Sequence, residues 1–210
     1  MEEIRRPGPG ESLNSGPPTT PREAATVILL RGGDASLEVL LVKRNPAARF
    51  MGGAWVFPGG AVDAAEGGGD RAHRAAALRE LEEEAGVRVA DPSALVKFSR
   101  WITPAQVKTR YDTHFFLSPV PDGAEPRPDG SEIVDARWFT PAGALDAHRA
   151  GEILLVFPTI KQLEQLGAFS SANAAIDHAR RHDVRPVEPR VLFSGETARV
   201  VLPGEAGYEG

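Results

Sequence analysis

The chain of 210 residues contains no cysteine, which excludes disulfides and thiolate chemistry and suits a reducing compartment. Long apolar runs are missing too. No stretch approaches the roughly 18 residues that a membrane-spanning helix needs, and Met1 to Arg6 lacks the apolar run of a secretory signal. Lysine is scarce, four against twenty arginines, and the net charge is −5. A general nucleic-acid binder wants a basic footprint, so that class is set aside. The expectation is a cytoplasmic protein with neither nucleic acid nor membrane among its partners. What remains suffices for one core, because 41% of the residues are hydrophobic. At this length one domain plus a tail is the default.

Residues 1–22 hold five prolines and three glycines with almost nothing apolar, and are expected to form a disordered or loosely attached tail. The folded domain is expected over 23–183. Short apolar or β-branched runs at Ala25–Leu30, Leu37–Val42, Trp55–Phe57, Leu95–Trp101, Thr113–Leu117 and Ile133–Phe139 read as strands. Helices are expected from about Arg71 to a stop at Gly86, from Ala142 to His148 behind Pro141, around Leu163 and Leu166, and from Ala172 to Arg181. Residues 184–210, with scattered proline and glycine, are expected to lie over the domain as extended chain. This order gives an α/β or α+β protein.

The densest chemistry lies in Phe57-Pro58-Gly59-Gly60 and, about twenty residues on, in Arg79-Glu80-Leu81-Glu82-Glu83-Glu84-Ala85-Gly86-Val87. A glycine turn feeds a helix whose acids converge. On the helix wheel Glu83 and Glu84 fall about 60° and 40° either side of Glu80, whereas Glu82 points about 160° away. Three carboxylates over one turn repel each other unless something positive sits among them. Mg²⁺ or Mn²⁺ suits, since hard cations take oxygen ligands and bridge carboxylates to phosphate. An acidic helix face is more often merely solvated, but the glycine turn upstream weighs against that here.

The two segments resemble the Nudix box, Gly-x5-Glu-x7-Arg-Glu-U-x-Glu-Glu-x-Gly-U with U a bulky aliphatic residue. Gly60 to Glu66 matches the first half and Arg79 to Val87 the second. Twelve residues separate Glu66 from Arg79 where the family has seven, and the surplus contains Gly67-Gly68-Gly69, expected to bulge as a flexible loop. Asp63, Glu66 and Asp70 all compete for the first acidic position. The resemblance implies a Nudix-type α/β/α sandwich with a mixed central sheet. It also implies Glu80, Glu83 and Glu84 as metal ligands with the Gly59 carbonyl, Glu83 as a catalytic residue, and Arg79 and Glu66 as supports that orient the carboxylates. A downstream carboxylate is often the base in such enzymes; Glu132 is the first choice and Asp112 the second.

Arg44 and Arg49 precede the glycine turn and are candidate phosphate ligands, because a guanidinium fork suits phosphate oxygens. Arg110 is a further cation available for a 3′-phosphate. His178 and His182 are spaced i, i+4 without a recognisable third ligand, so a solvated helix face is expected instead of zinc. Trp101-Ile102-Thr103-Pro104, Arg110 to Leu117 and Phe157-Pro158-Thr159 resemble the Nudix branch that includes coenzyme A diphosphatases, whose boxes also carry insertions. The ending Tyr208-Glu209-Gly210 is not a peroxisomal signal.

The implied function is a Mg²⁺- or Mn²⁺-dependent hydrolase of a nucleoside diphosphate linked to another group, with coenzyme A or acyl-coenzyme A as the favoured substrate. ADP-ribose or NADH pyrophosphatase activity is the alternative. A non-catalytic Nudix-fold nucleotide-binding or regulatory module is the rival from another class. The expected partner is a nucleotide-type small molecule, and a homodimer is left open.

Overall fold

The computed structural model of the protein describes residues 3–4, 12–194 and 197–208. In chain order the strands are β1 (Glu3–Ile4), β2 (Arg22–Arg31), β3 (Glu38–Arg44), β4 (Ala54–Val56) and β5 (Gly59–Ala61). After α1 (Gly69–Ala85) come β6 (Val96–Ile102), β7 (Tyr111–Pro119) and β8 (Ile133–Phe139). Then follow α2 (Pro141–Arg149), β9 (Leu154–Leu155), α3 (Phe157–Leu166), α4 (Ala172–Arg181), β10 (Pro186–Val187), β11 (Arg190–Ser194) and β12 (Thr197–Val201).

The helix limits have local causes. Gly86 stops α1 in the left-handed region at φ 64°, with its amide on the Glu82 carbonyl at 2.9 Å. Thr140 and Ser171 cap α2 and α4 by accepting the amides of Gly143 and Ala174.

Nine strands form a mixed sheet in the order β10-β6-β7-β2-β3-β4-β9, with β5 also on β2 and β8 also on β3. Helix α1 covers one face and α2, α3 and α4 the other, the α/β/α arrangement expected. Alternation sorts the core between them. Val27 and Leu29 of β2, with Leu40 and Val42 of β3, pack toward Ala76, Ala77 and Leu81 of α1. Ile28, Leu30, Val39 and Leu41 pack toward Leu163, Leu166 and Ile176 on the other side. Both faces of β2 are buried, which is why it reads as a continuous apolar run with no visible alternation.

The partnership of β2 and β3 is brief. Only Leu30 with Val39 and Arg31 with Glu38 pair across it. Toward its start, β2 instead pairs with β5, Thr26 opposite Gly59 and Ala24 opposite Ala61, while β3 pairs with β4. A cleft opens where the two central strands part.

The described parts of both end segments pair with other elements. Much of the tail over 1–22, residues 1–2 and 5–11, lies outside the described residues. Its described part is tied down: Glu3–Ile4 pairs with β12, Asn14 donates to the Gln106 carbonyl at 2.8 Å, and Thr19 donates to the Lys108 carbonyl at 2.9 Å. The reason is backbone hydrogen bonding, which needs no apolar side chains. The C-terminal segment is likewise partly strand, with β10 alongside β6 and a separate sheet β1-β12-β11. Among the described residues no helix is long and apolar enough to cross a membrane.

Leu81 is fully buried beneath the sheet, whereas its neighbour Glu82 is exposed and paired with Arg88. Leu81→Ala should lower unfolding free energy by about 2–5 kcal/mol, and Glu82→Gln by no more than about 1 kcal/mol. Denaturant titration measures both. Equal losses would mean that α1 is rotated from the face described.

Candidate active site

The cleft has a volume of about 330 Å³, and Glu80, Glu84, Arg44, Glu132 and the Gly59–Ala61 backbone line it. Strand β5 makes this possible. A Cβ on Gly60 would collide with the Glu80 carboxylate, and one on Gly59 would sit 2.6 Å from the Ala25 carbonyl oxygen. Glycine is needed here for close approach, with no call on positive φ.

Glu84 is 3% exposed and accepts the Gly59 amide at 2.9 Å. Arg44 lies 3.9 Å from its other oxygen. Burial pushes the Glu84 carboxyl up to about 7; the Gly59 amide and Arg44 oppose this, and the charges of Glu80 and Glu132 add to it. Burial also raises Glu80, against the pull of Arg79. The cleft thus holds carboxylates short of positive charge, a donor set suited to a hard divalent cation.

Arg79 organises the neighbouring acids. Its Nε donates to Glu66 at 3.0 Å, one terminal nitrogen to Glu80 at 2.8 Å and Glu83 at 3.0 Å, and the other to the Ala61 carbonyl at 3.0 Å. Of the three acids competing for the first box position, Glu66 makes this hydrogen bond. Asp63 stands 3.8 Å from Arg79, while Asp70 pairs with Arg74 and Lys97. Of the inserted glycines, Gly67 and Gly69 take φ of 84° and 70°, a Cβ there would meet nothing within 4 Å, and Gly69 already begins α1. Glu66 and Asp70, at the insertion's ends, are anchored by these pairs.

The structure separates the other expected residues. Glu80, Glu84, Gly59, Arg44 and Glu132 share the cleft. Glu83 does not line it; its side chain is 59% exposed and held by Arg79. Arg49 is exposed on the 45–53 loop and is absent from the lining. Arg110 is not free for a phosphate: it is 7% exposed and donates to the Thr103 and Thr19 carbonyls and to Glu188. Asp112 is held by Arg100 through two hydrogen bonds, at 2.8 and 2.6 Å, and lies outside the cleft lining. His178 and His182 stack on each other at 3.8 Å. Among the described residues no three of His, Asp and Glu stand as a ready-made metal site.

Sequence reasoning missed the opposite wall. Phe50, Met51 and Val56, with Tyr111, Thr113 and Phe115 from alternate positions of β7, complete the lining. Period-two spacing in β7 was the available signal; Phe50 and Met51 had none, because a loop carries them. The segments that resembled the coenzyme A branch converge here. Trp101 meets Phe157 edge-on at 6.1 Å, Thr103 accepts the Tyr111 amide, and Pro158 and Thr159 border the cleft.

A model of the NUDIX domain matches residues 20–156. The chain belongs to the Nudix hydrolase family. A Caenorhabditis elegans protein named as a nudix hydrolase is 32% identical over 181 residues, covering 69% of this chain and 60% of that protein. An acyl-coenzyme A diphosphatase of Gallus gallus is 26% identical, covering 89% of this chain and 79% of that one. The chain therefore spans about three fifths of the first relative's length. The crystal structure of a NUDIX hydrolase from Alicyclobacillus acidocaldarius superposes with a TM-score of 0.69 at 28% identity, covering 76% of this chain and 96% of that one. Nudix hydrolases generally use divalent metals.

The raised Glu84 carboxyl has a consequence for stability. In chelated protein the folded chain keeps a proton that the unfolded chain releases near pH 4.5. Stability contributed by this group therefore falls as pH rises from there through about 7, then levels off. Glu84→Gln, which keeps an acceptor for Gly59, should gain thermal stability over the parent as pH rises from 5 to 8. A difference between the two melting curves that does not change with pH would contradict this environment for Glu84.

Proposed function

We propose that the protein hydrolyses the diphosphate of a nucleoside diphosphate linked to another group, with coenzyme A or its acyl thioesters as substrate. The observation that carries the hydrolase reading is the placement of Glu80, Glu84 and Glu132 in one cleft, against glycine backbone that admits no side chain. A binding module would not need buried carboxylates short of countercharge, since they repel a diphosphate. The substrate class draws on the likeness to an acyl-coenzyme A diphosphatase.

Glu80 and Glu84 would hold Mg²⁺ or Mn²⁺, with the Gly59 carbonyl and Glu83 as further oxygen donors. Bound there, the cation would offset the diphosphate charge and lower the pKa of a water. The protein groups do the rest. The Gly59 amide fixes the Glu84 carboxylate, and Arg79 fixes Glu80 and Glu83. Arg44, at the cleft wall, is placed to meet a phosphate oxygen. Glu132, whose side chain lines the same cleft, accepts the proton of the attacking water as general base. Water adds to phosphorus, the bridging P–O bond breaks, and coenzyme A yields 3′,5′-ADP and 4′-phosphopantetheine. Phe50, Met51, Tyr111 and Phe115 supply an apolar wall for the groups flanking the diphosphate.

Turnover of coenzyme A, dephospho-coenzyme A, ADP-ribose and NADH, with Mg²⁺ or Mn²⁺ and then with chelator, tests this reading. Coenzyme A or its acyl form should have the highest kcat/KM, and chelation should abolish activity. A tenfold preference for ADP-ribose or NADH, about 1.4 kcal/mol of transition-state binding, would overturn the substrate while leaving the hydrolase. No turnover of any compound would favour a binding module.

Substitutions on α1 test the carboxylates. Glu80→Gln and Glu84→Gln should each lower kcat by about 100-fold or more. Glu82→Gln should change it by less than about threefold, because its side chain leaves the far side of the helix. Comparable losses at Glu82 and Glu84 would refute the assignment of the catalytic face.

A further inference from the structure

Strand β8 changes step just before it reaches the cleft. Phe139 back to Asp135 face Val39 to Lys43 one for one, but Arg44 then pairs with Ile133, leaving Val134 as an extra residue. Ala136 and Trp138 pack toward α1. Strict alternation would carry Val134 to that same side. The bulge reverses this. Ile133 takes the α1 side, fully buried, and Val134 is pushed out to 41% exposure. Glu132, the residue just ahead of β8, lines the cleft together with Glu80 and Glu84. Bulges re-aim side chains in this way beside active sites.

The turn ahead of the bulge is locked from two sides. The Asp129 carboxylate accepts the amides of Ser131, Glu132 (2.8 Å) and Ile133 (3.2 Å) and the Ser131 hydroxyl (2.7 Å). Asn45, directly after Arg44, donates its backbone amide to the Glu132 carbonyl at 2.7 Å and its side chain to the Ser131 carbonyl at 2.8 Å. Gly130 donates to the Ile133 carbonyl at 2.9 Å. Among the described residues the Glu132 carboxylate itself has no hydrogen bond or ion pair. Its backbone is fixed while its charge is left available.

We propose that the Val134 bulge and the Asn45–Asp129 clamp together hold Glu132 over the cleft, with Asn45 and Asp129 as positioning residues for the reaction. The inference rests on Glu132 being the general base. A base on an unsupported loop samples many positions, and losing placement by about an ångström can cost around 100-fold in rate. Because Asn45 adjoins Arg44, the same clamp sets Glu132 at a fixed offset from the arginine beside Glu84.

The test is a mutant cycle on the full chain, with coenzyme A and Mg²⁺, or with whichever diphosphate of the panel turns over. Glu132→Gln should lower kcat about 100-fold or more. Asp129→Ala and Asn45→Ala should each lower kcat about tenfold with KM within about twofold. Combined with Glu132→Gln they should cost less than about twofold further, because they act through the group already removed. Asp129→Asn, which keeps an acceptor, should recover part of the loss. Independently of turnover, amide exchange at Ser131, Glu132 and Ile133 should accelerate in Asp129→Ala while exchange in β2 is unchanged.

Losses that multiply undiminished with Glu132→Gln, or a kcat within about twofold of the parent for both clamp variants, would overturn the positioning role while leaving Glu132 as the base. Unchanged exchange at the three amides would overturn the clamp itself. Full activity of Glu132→Gln would remove the base assignment and the positioning role with it. No turnover of any panel compound by the parent would do the same by way of the function.

Discussion

The hydrogen bond from the Gly59 amide to the buried carboxylate of Glu84, 2.9 Å long, joins strand to helix at the point on which the site depends. For it to form, β5 must lie flat against both β2 and α1. A Cβ on Gly59 would run into the β2 backbone, and one on Gly60 would displace the Glu80 carboxylate. Once it forms, Glu84 is removed from water, Glu80 is pressed against the Gly60 backbone, and two acids of one helix open into the same cleft. The cost is electrostatic. A carboxylate 3% exposed with one arginine at 3.9 Å is poorly compensated, and its proton affinity rises accordingly. That deficit of positive charge is what suits the donor set to a divalent cation.

Arg79 is the complement of this arrangement. It spends its guanidinium on Glu66, Glu80, Glu83 and the Ala61 carbonyl, so it orients acids without entering the cleft. A lysine could not bridge four acceptors in fixed directions. The inserted glycines lead into α1, which begins at Gly69, without disturbing the network, because Glu66 is anchored on one side of them and Asp70 on the other. The insertion thus adds length where the backbone is open and spares the pairs that hold the carboxylates.

Much of the fold could be read before the structure. The strands carrying apolar or β-branched runs between Ala25 and Phe139, and the four helices, follow from those runs, Pro141, Gly86 and the 3.6-residue period, all of which are local signals; Gly59–Ala61, expected as a turn, is strand β5 because it pairs with β2. The α/β/α layering came from family resemblance, as did most of the site. Helix-wheel spacing brought Glu80 and Glu84 together, since positions four apart always share a face. The same rule included Glu83, and there it was incomplete: spacing cannot show that Arg79 draws that side chain to the rim. Arg110 was misread for a related reason. A guanidinium near the site in sequence is not available when its donors are committed to Thr103, Thr19 and Glu188.

By itself the sequence determined the family, the acidic face of α1, the glycine requirement beside it and the absence of cysteine chemistry, because each is carried by residues adjacent along the chain or one helical turn apart. The tertiary structure alone decided which acid partners Arg79, that Asp112 is tied to Arg100 away from the cleft, and that Phe50, Met51 and Tyr111 form its far wall. It also decided that Glu132, just ahead of the bulge in β8, lines the same cleft as Glu80 and Glu84. These depend on where β2 and β3 part, on how β8 pairs with β3, and on pairs such as Arg79 with Glu66 and Arg100 with Asp112, all of them more than one helical turn apart. No local propensity encodes them.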